Sequence, residues 1–319
     1  MSRHEDETLP SDSHDGAECI SKPVLELSQA RTSIVGEALP VRRALPGKPR
    51  RMVGAWCFLD HAGPLDYPIG GGLTVGPHPH IGLQTFTWMI EGEVDHHDSL
   101  GNHQRIRPGQ VNLMSAGHGI SHAEVSPMDR PGRVHAAQLW IALPDGERNR
   151  PPSFHHYPDL PRVEQGGFLF TVLVGEALGQ TAEAEVFSPL MGVDARSESA
   201  AGTTMSLNPD FEHAAMCLQG EADVGGQHII PGELLYLGTG RNELEISSDA
   251  AARILIIGGE PFGEDILLWW NFVARTQEEL AAATEDWNAG RRFGQVTGTD
   301  LPHLVAPDLA GLRLRRPGG

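Results

Sequence analysis

The feature that most constrains this chain is that it carries the same strand-and-turn punctuation twice. Residues 85–117, TFTWMIEGEVDHHDSLGNHQRIRPGQVNLMSAG, and residues 213–240, HAAMCLQGEADVGGQHIIPGELLYLGTG, each run apolar strand, GE turn, second strand, PG turn, third apolar strand and a small-residue end. Gly92-Glu93 aligns with Gly220-Glu221, Pro108-Gly109 with Pro231-Gly232, and Gly117 with Gly240. The second copy is shorter where the first has HHDSLGN, which reads as a hairpin tip. With 38 Gly and 24 Pro in the chain, turn signals fall between short apolar runs at about the 8–12-residue spacing of all-β sandwiches and barrels. The expected fold is all-β: two jelly-roll type β-barrels, in which closure hides the strand edges.

The expected organisation follows from where composition changes. Residues 1–30 are acidic and polar and read as a flexible tail. Residues 31–150 form a first barrel, 151–290 a second barrel together with a helix, and 291–319 a C-terminal extension. The helix is expected over 271–290, where helix formers end in Asn-Ala-Gly. A formal charge of −18 argues against direct nucleic-acid binding, which needs clustered Lys and Arg. Cys19, Cys57 and Cys217 form no CxxC, so neither a disulfide framework nor a zinc ribbon is indicated. The N-terminus lacks an apolar h-region and no long apolar run follows, so the expectation is a soluble, cytoplasmic protein with no membrane partner.

The stretch GPHPHIG, residues 76–82, places His78 and His80 two apart, and residues i and i+2 of a strand share a face. With 16 histidines in 319 residues, one such pair arises by chance about once. A second pair at the same spacing, His122 and Glu124 in GHGISHAE, follows the third strand of the same copy. Three imidazoles and a carboxylate suit iron(II), Mn, Ni or Cu(II) alike; Zn also fits but prefers four ligands or fewer. The repeat acts as an internal control: counting from Gly220 and Gly240 puts Ser206, Asn208, Glu245 and Ser247 at the matching positions of the second copy. Restriction of the set to one copy is what a single metal site produces.

The remaining histidines read otherwise. His96 and His97 are adjacent beside the hairpin tip, so on a strand they face opposite ways and cannot both be ligands. His155 and His156 fall in a Pro-flanked stretch expected to link the barrels. His118, four before His122, is expected to line the cavity as a donor behind the ligands. Cys217 reads as a buried thiol.

These residues resemble the pirin family, a branch of the cupin superfamily, over about residues 36–290. The resemblance rests on PHPHIGLQTFTWMIEGEVDHHDSLG, IRPGQVNLMSAGHGISHAE and LLWWNFVA. It implies a bicupin with one metal, usually iron, in the N-terminal barrel, and carries the family's ligands onto His78, His80, His122 and Glu124. Two positions depart from the wider pattern: Gln84 stands where a general cupin has glutamate, and His118 where many pirins have arginine.

The resemblance implies two functions. The first is a quercetin 2,3-dioxygenase-like oxidoreductase acting on a small aromatic, flavonol-type substrate, with Glu124 as ligand and general base. The second is a non-enzymatic, redox-sensitive iron protein that binds a transcription factor or metabolic enzyme. Phe86, Trp88 and Met114 could line such a cavity, although aromatic residues on barrel strands more often belong to the core.

Overall fold

The computed structural model describes residues 24–36, 39–309 and 311. Alternation of side chains along each strand sets the architecture. On the strand Leu83–Glu91, Phe86, Trp88 and Ile90 face one way into a shared core with Met216, Leu255 and Ile257 of the second half. Thr85, Thr87 and Met89 face the other way and line an internal cavity. Both faces are covered, so the strand reads as a nearly unbroken apolar run.

Each half pairs a seven-stranded antiparallel sheet with a four-stranded one. In the first half the small sheet runs Thr74–His80, Ile120–Val125, Val94–Asp98, His103–Ile106. In the second it runs Ala201–Ser206, Glu243–Ser248, Ala222–Val224, Gln227–Ile229. The two large sheets pack face to face and bury the aromatic core between the barrels. The barrel interiors differ. Phe168, Phe170, Cys217, Met205, Leu244 and Ile246 fill the second one, and Glu245 and Ser247 point outward. Where the first barrel keeps a cavity and histidines, the interior of the second is lined by apolar side chains.

Three features correct the expected domain limits. Residues 1–23 of the expected tail lie outside the described residues, but Glu26–Gln29 is a strand paired with Glu233–Gly238 in the second barrel. Conversely, Ser153–Tyr157 joins the first barrel by pairing with Val111–Ser115, so His155 and His156 lie on a strand and not in a linker. This exchange covers an edge of each large sheet with a strand from the other half, satisfying backbone groups that an open edge would expose. The acidic, polar stretch before it, with acids at 5, 6, 7, 12, 15 and 18, obscured a strand whose residues alternate between half-buried and exposed.

The third correction concerns the C-terminal part, which packs on the first barrel. A hairpin of Leu267–Trp269 and Phe272–Ala274 docks through a bridge between Ile81 and Phe272. The helix Gln277–Asn288 follows, capped by the Thr276 hydroxyl, which accepts from the Glu279 amide, and by Gly290 at φ +70°. It buries Leu280, Ala283 and Trp287 in a cluster with Phe272 and Phe293. Beyond it, the Leu304 amide donates to the Pro77 carbonyl at 2.9 Å, so the described part of the expected C-terminal extension, residues 291–309, clamps the first barrel. Among the described residues no helix is long and apolar enough to cross a membrane.

Candidate metal centre

Local strand geometry brings the histidines together. His122 pairs with His78 and Ile120 with His80, and the register slips so that Glu124 faces Val75. Gly76 and Pro77 absorb the slip as a bulge, a device that re-aims side chains. Gly76 is required where it stands, since a Cβ there would lie 2.2 Å from the Pro302 carbonyl oxygen of the C-terminal clamp.

The ring centroids of His78 and His122 are 4.3 Å apart, those of His80 and His122 4.9 Å, and those of His78 and His80 5.0 Å. One nitrogen from each lies within 4.8 Å of the others. Glu124 forms a second such group with His122 and His96, and the four expected ligands do not make one group at that spacing.

Hydrogen bonding fixes which nitrogens are free. His78 Nδ1 donates to the Gly76 carbonyl at 2.9 Å, and His80 Nδ1 donates to the Asn271 carbonyl at 3.0 Å. His96 Nε2 lies 3.1 Å from an Asp98 carboxylate oxygen, which can only accept, so the proton is on Nε2 and His96 Nδ1 is bare. That bare nitrogen lies 3.3 Å from His122 Nδ1 and accepts its proton. All three imidazoles therefore present an Nε2 lone pair to the same space.

His80 Nε2 and His122 Nε2 are 3.0 Å apart, close enough for both to reach one cation. Two nitrogens each about 2.1 Å from an ion at a right angle are about 3.0 Å apart, so the donor set fits a metal. Burial holds all three imidazoles neutral, the form that ligates: it pushes His78 down to about 4 and His80 and His122 well below the usual histidine range. Burial also raises Glu124. At Asp98 burial opposes ionisation, but hydrogen bonds from His96 and Asn102 outweigh it and hold the carboxyl low. The chain Asp98–His96–His122 is a carboxylate–histidine support of the kind that orients metal ligands.

Sequence reasoning missed His96. It rightly separated His96 from His97, whose ring stacks outward on His103 at 4.1 Å, but discounted the inward one. The available signal was its shared face with Asp98, two residues on. His118 does not line the cavity as expected: it is exposed, and its carbonyl accepts from Arg292 Nε at 2.6 Å.

The centre opens onto a cavity of about 440 Å³. Trp140 stands edge-on to His80 at 5.3 Å and stacks on Phe58 at 4.0 Å; both line the cavity. Phe86 and Trp88 lie in the inter-barrel core and Met114 in the cluster around Cys57 and Ile120.

Comparison with known proteins agrees with this architecture. The family model "Pirin" matches residues 38–141, and "Pirin C-terminal cupin domain" matches residues 192–294. A Pseudomonas aeruginosa protein named "Putative quercetin 2,3-dioxygenase PA1205" is 50% identical over 287 residues, covering 90% of this chain and 91% of the relative. A pirin-like protein of Caulobacter vibrioides is 36% identical, covering 79% of this chain and 88% of its own. The crystal structure named quercetin 2,3-dioxygenase from Acinetobacter baumannii superposes with a TM-score of 0.88 at 53% identity, covering 91% of this chain and 97% of that one. Two cupin barrels, a histidine cluster in the first and an apolar core in the second, together with these matches, show that the chain belongs to the pirin family.

Proposed function

We propose that His78, His80, His122 and Glu124 hold one iron(II) and that the chain is a quercetin 2,3-dioxygenase-like oxidoreductase, converting a flavonol and O2 to a depside and CO. The observation that carries this reading is the convergence of three bare Nε2 atoms at an aromatic-walled cavity, whose volume lies within the roughly 300–1,000 Å³ of small-molecule sites. The names borne by the Pseudomonas and Acinetobacter relatives point the same way. Mn, Ni, Cu and Zn fit the same donors.

The iron supplies Lewis acidity and a template for the flavonol anion. The protein's residues do the rest. Glu124, beside His122, accepts the proton of the flavonol 3-hydroxyl as the carboxylate placed at the centre. Trp140 and Phe58 flank the flat ring system and keep water from it. His96 and Asp98 keep His122 in the ligating tautomer. Cys57 and Cys217 are free buried thiols, consistent with a cytoplasmic enzyme.

The test is O2 uptake and loss of flavonol absorbance with iron(II)-loaded protein under air. Turnover with release of CO supports the reading. Full metal occupancy with neither O2 uptake nor flavonol loss overturns it.

A further inference from the structure

The cavity wall formed by the large sheet is ranked by polarity in a way that metal binding does not require. Reading across adjacent strands, Phe58 pairs with Trp140 and Trp140 with Thr85, a mainly aromatic rank beside the histidines. Two residues further along each strand, Arg43 pairs with Asp60, Asp60 with Gln138, and Gln138 with Thr87. Two further on, Val41, Ala62, Ala136 and Met89 form an apolar rank. All three ranks line the cavity. The polar rank is thus set about 6.7 Å from the aromatic one along the strands.

Its members are ordered and partly unspent. Arg43 grips Asp60 with Nε and Nη2 at 2.7 and 2.6 Å and stacks over Phe58 at 4.5 Å. Asp60 is only 3% exposed. Thr87 donates to Gln138 Oε1 at 2.8 Å, which fixes the amide and leaves the Gln138 Nε2 donors without a partner among the described residues. A buried ion pair between two apolar ranks adds little stability over an apolar filling, and an amide aimed into a cavity adds less. Such a rank is what a ligand with hydroxyl groups at the end of a flat aromatic body would need: Gln138 Nε2 donates to one hydroxyl, and the spare lone pairs of Asp60 and Thr87 accept from its neighbour.

We infer that Arg43, Asp60, Gln138 and Thr87 form a recognition rank that selects polyhydroxylated flavonols by the ring hydroxyls remote from the metal. This rests on the flavonol reading of the site and adds to it the residues that set substrate preference. Gln138 binds the hydroxyl directly; Arg43 is a positioning residue that acts through Asp60.

Equilibrium binding by the full chain, loaded with iron(II) and held free of O2 so that nothing turns over, tests the inference. The ligands are 3-hydroxyflavone, which has no other hydroxyl, and quercetin, which has a vicinal pair on its remote ring. Quercetin should bind about three- to tenfold more tightly, the worth of one or two net hydrogen bonds. In Gln138→Leu that ratio should fall toward one while the circular dichroism spectrum stays that of the parent. Equal binding of the two flavonols by the parent protein, or a ratio kept by Gln138→Leu, refutes the recognition rank and leaves the flavonol reading standing. Binding of neither flavonol refutes both. The parent's ligand series decides the matter even if the variant fails to fold.

Discussion

Replacing His96 with phenylalanine separates the support of the centre from its ligands. The imidazole does two things: it accepts the proton of His122 Nδ1 at 3.3 Å, and it stacks on Phe154 at 4.3 Å with an interplanar angle of 14°. His96→Phe keeps the stack and removes the acceptor. His122 is then free to flip its tautomer, placing a proton on the nitrogen meant for the metal, or to bury an N–H without a partner. Loss of such a supporting group costs about 10- to 100-fold in metal affinity, which is about 1.4–2.7 kcal/mol. The orphaned N–H adds about 1–3 kcal/mol to the cost of folding without metal. Asp98 should stay in place, because it also accepts from the Leu100 and Asn102 amides at 2.9 and 3.0 Å. Chelator competition gives the affinity, and urea unfolding of the metal-free protein gives the stability. An affinity within twofold of the parent, with the fold intact, would refute the assignment of His122 Nε2 as a ligand nitrogen held by His96.

Two further outcomes follow from other parts of the fold. His61 and His135 face each other at 2.9 Å between Nε2 atoms, fully buried in the large sheet; burial pushes them down to about 3 and about 4. Below about pH 6.5 the unfolded chain takes up protons that the folded one excludes, so stability falls as pH drops from about 6.5 toward 4, with a slope up to about 1.4 kcal/mol per pH unit per group. Urea midpoints across that window should show the fall, and a His61→Leu/His135→Leu double variant should make it shallower; an unchanged slope contradicts the reading. Gly82 sits at φ +67°, and a Cβ there would lie 2.1 Å from the Val273 carbonyl oxygen, so Gly82→Ala should destabilise the protein by about 2 kcal/mol or more and loosen the hairpin that carries Asn271 to His80. Hydrogen exchange at residues 267–274 reports this, and protection equal to the parent's would count against it.

How far the chain could be read from its letters depended on the range of each interaction. The barrels were legible because GE and PG turns between apolar runs are local signals, and the helix because its capping residues lie immediately beside it in sequence. The pair His78/His80 was legible because the i, i+2 rule is itself local. The exchange of Glu26–Gln29 and Ser153–Tyr157 was not, since each pairs with a strand whose position only the folded barrels define. The same holds for the C-terminal clamp: Asn271 supports His80 through a backbone carbonyl, which carries no side-chain signature at all. Counting along the repeat found that the second copy lacks the ligands but chose the wrong face, since Leu244 and Ile246, not Glu245 and Ser247, point inward. The polar rank on the cavity wall draws one residue from each of four strands, so no single stretch of sequence displays it.

Metal content tests the central claim most directly. Iron(II)-loaded parent protein, desalted and analysed by mass spectrometry, should hold about one ion per chain. His78→Ala, His80→Ala and His122→Ala, each folded by circular dichroism, should hold close to none, while His155→Ala, on the exchanged strand, keeps the parent's value. Retention of a full ion by any of the three centre variants, or an equal loss in His155→Ala, would contradict the placement of the metal at these histidines.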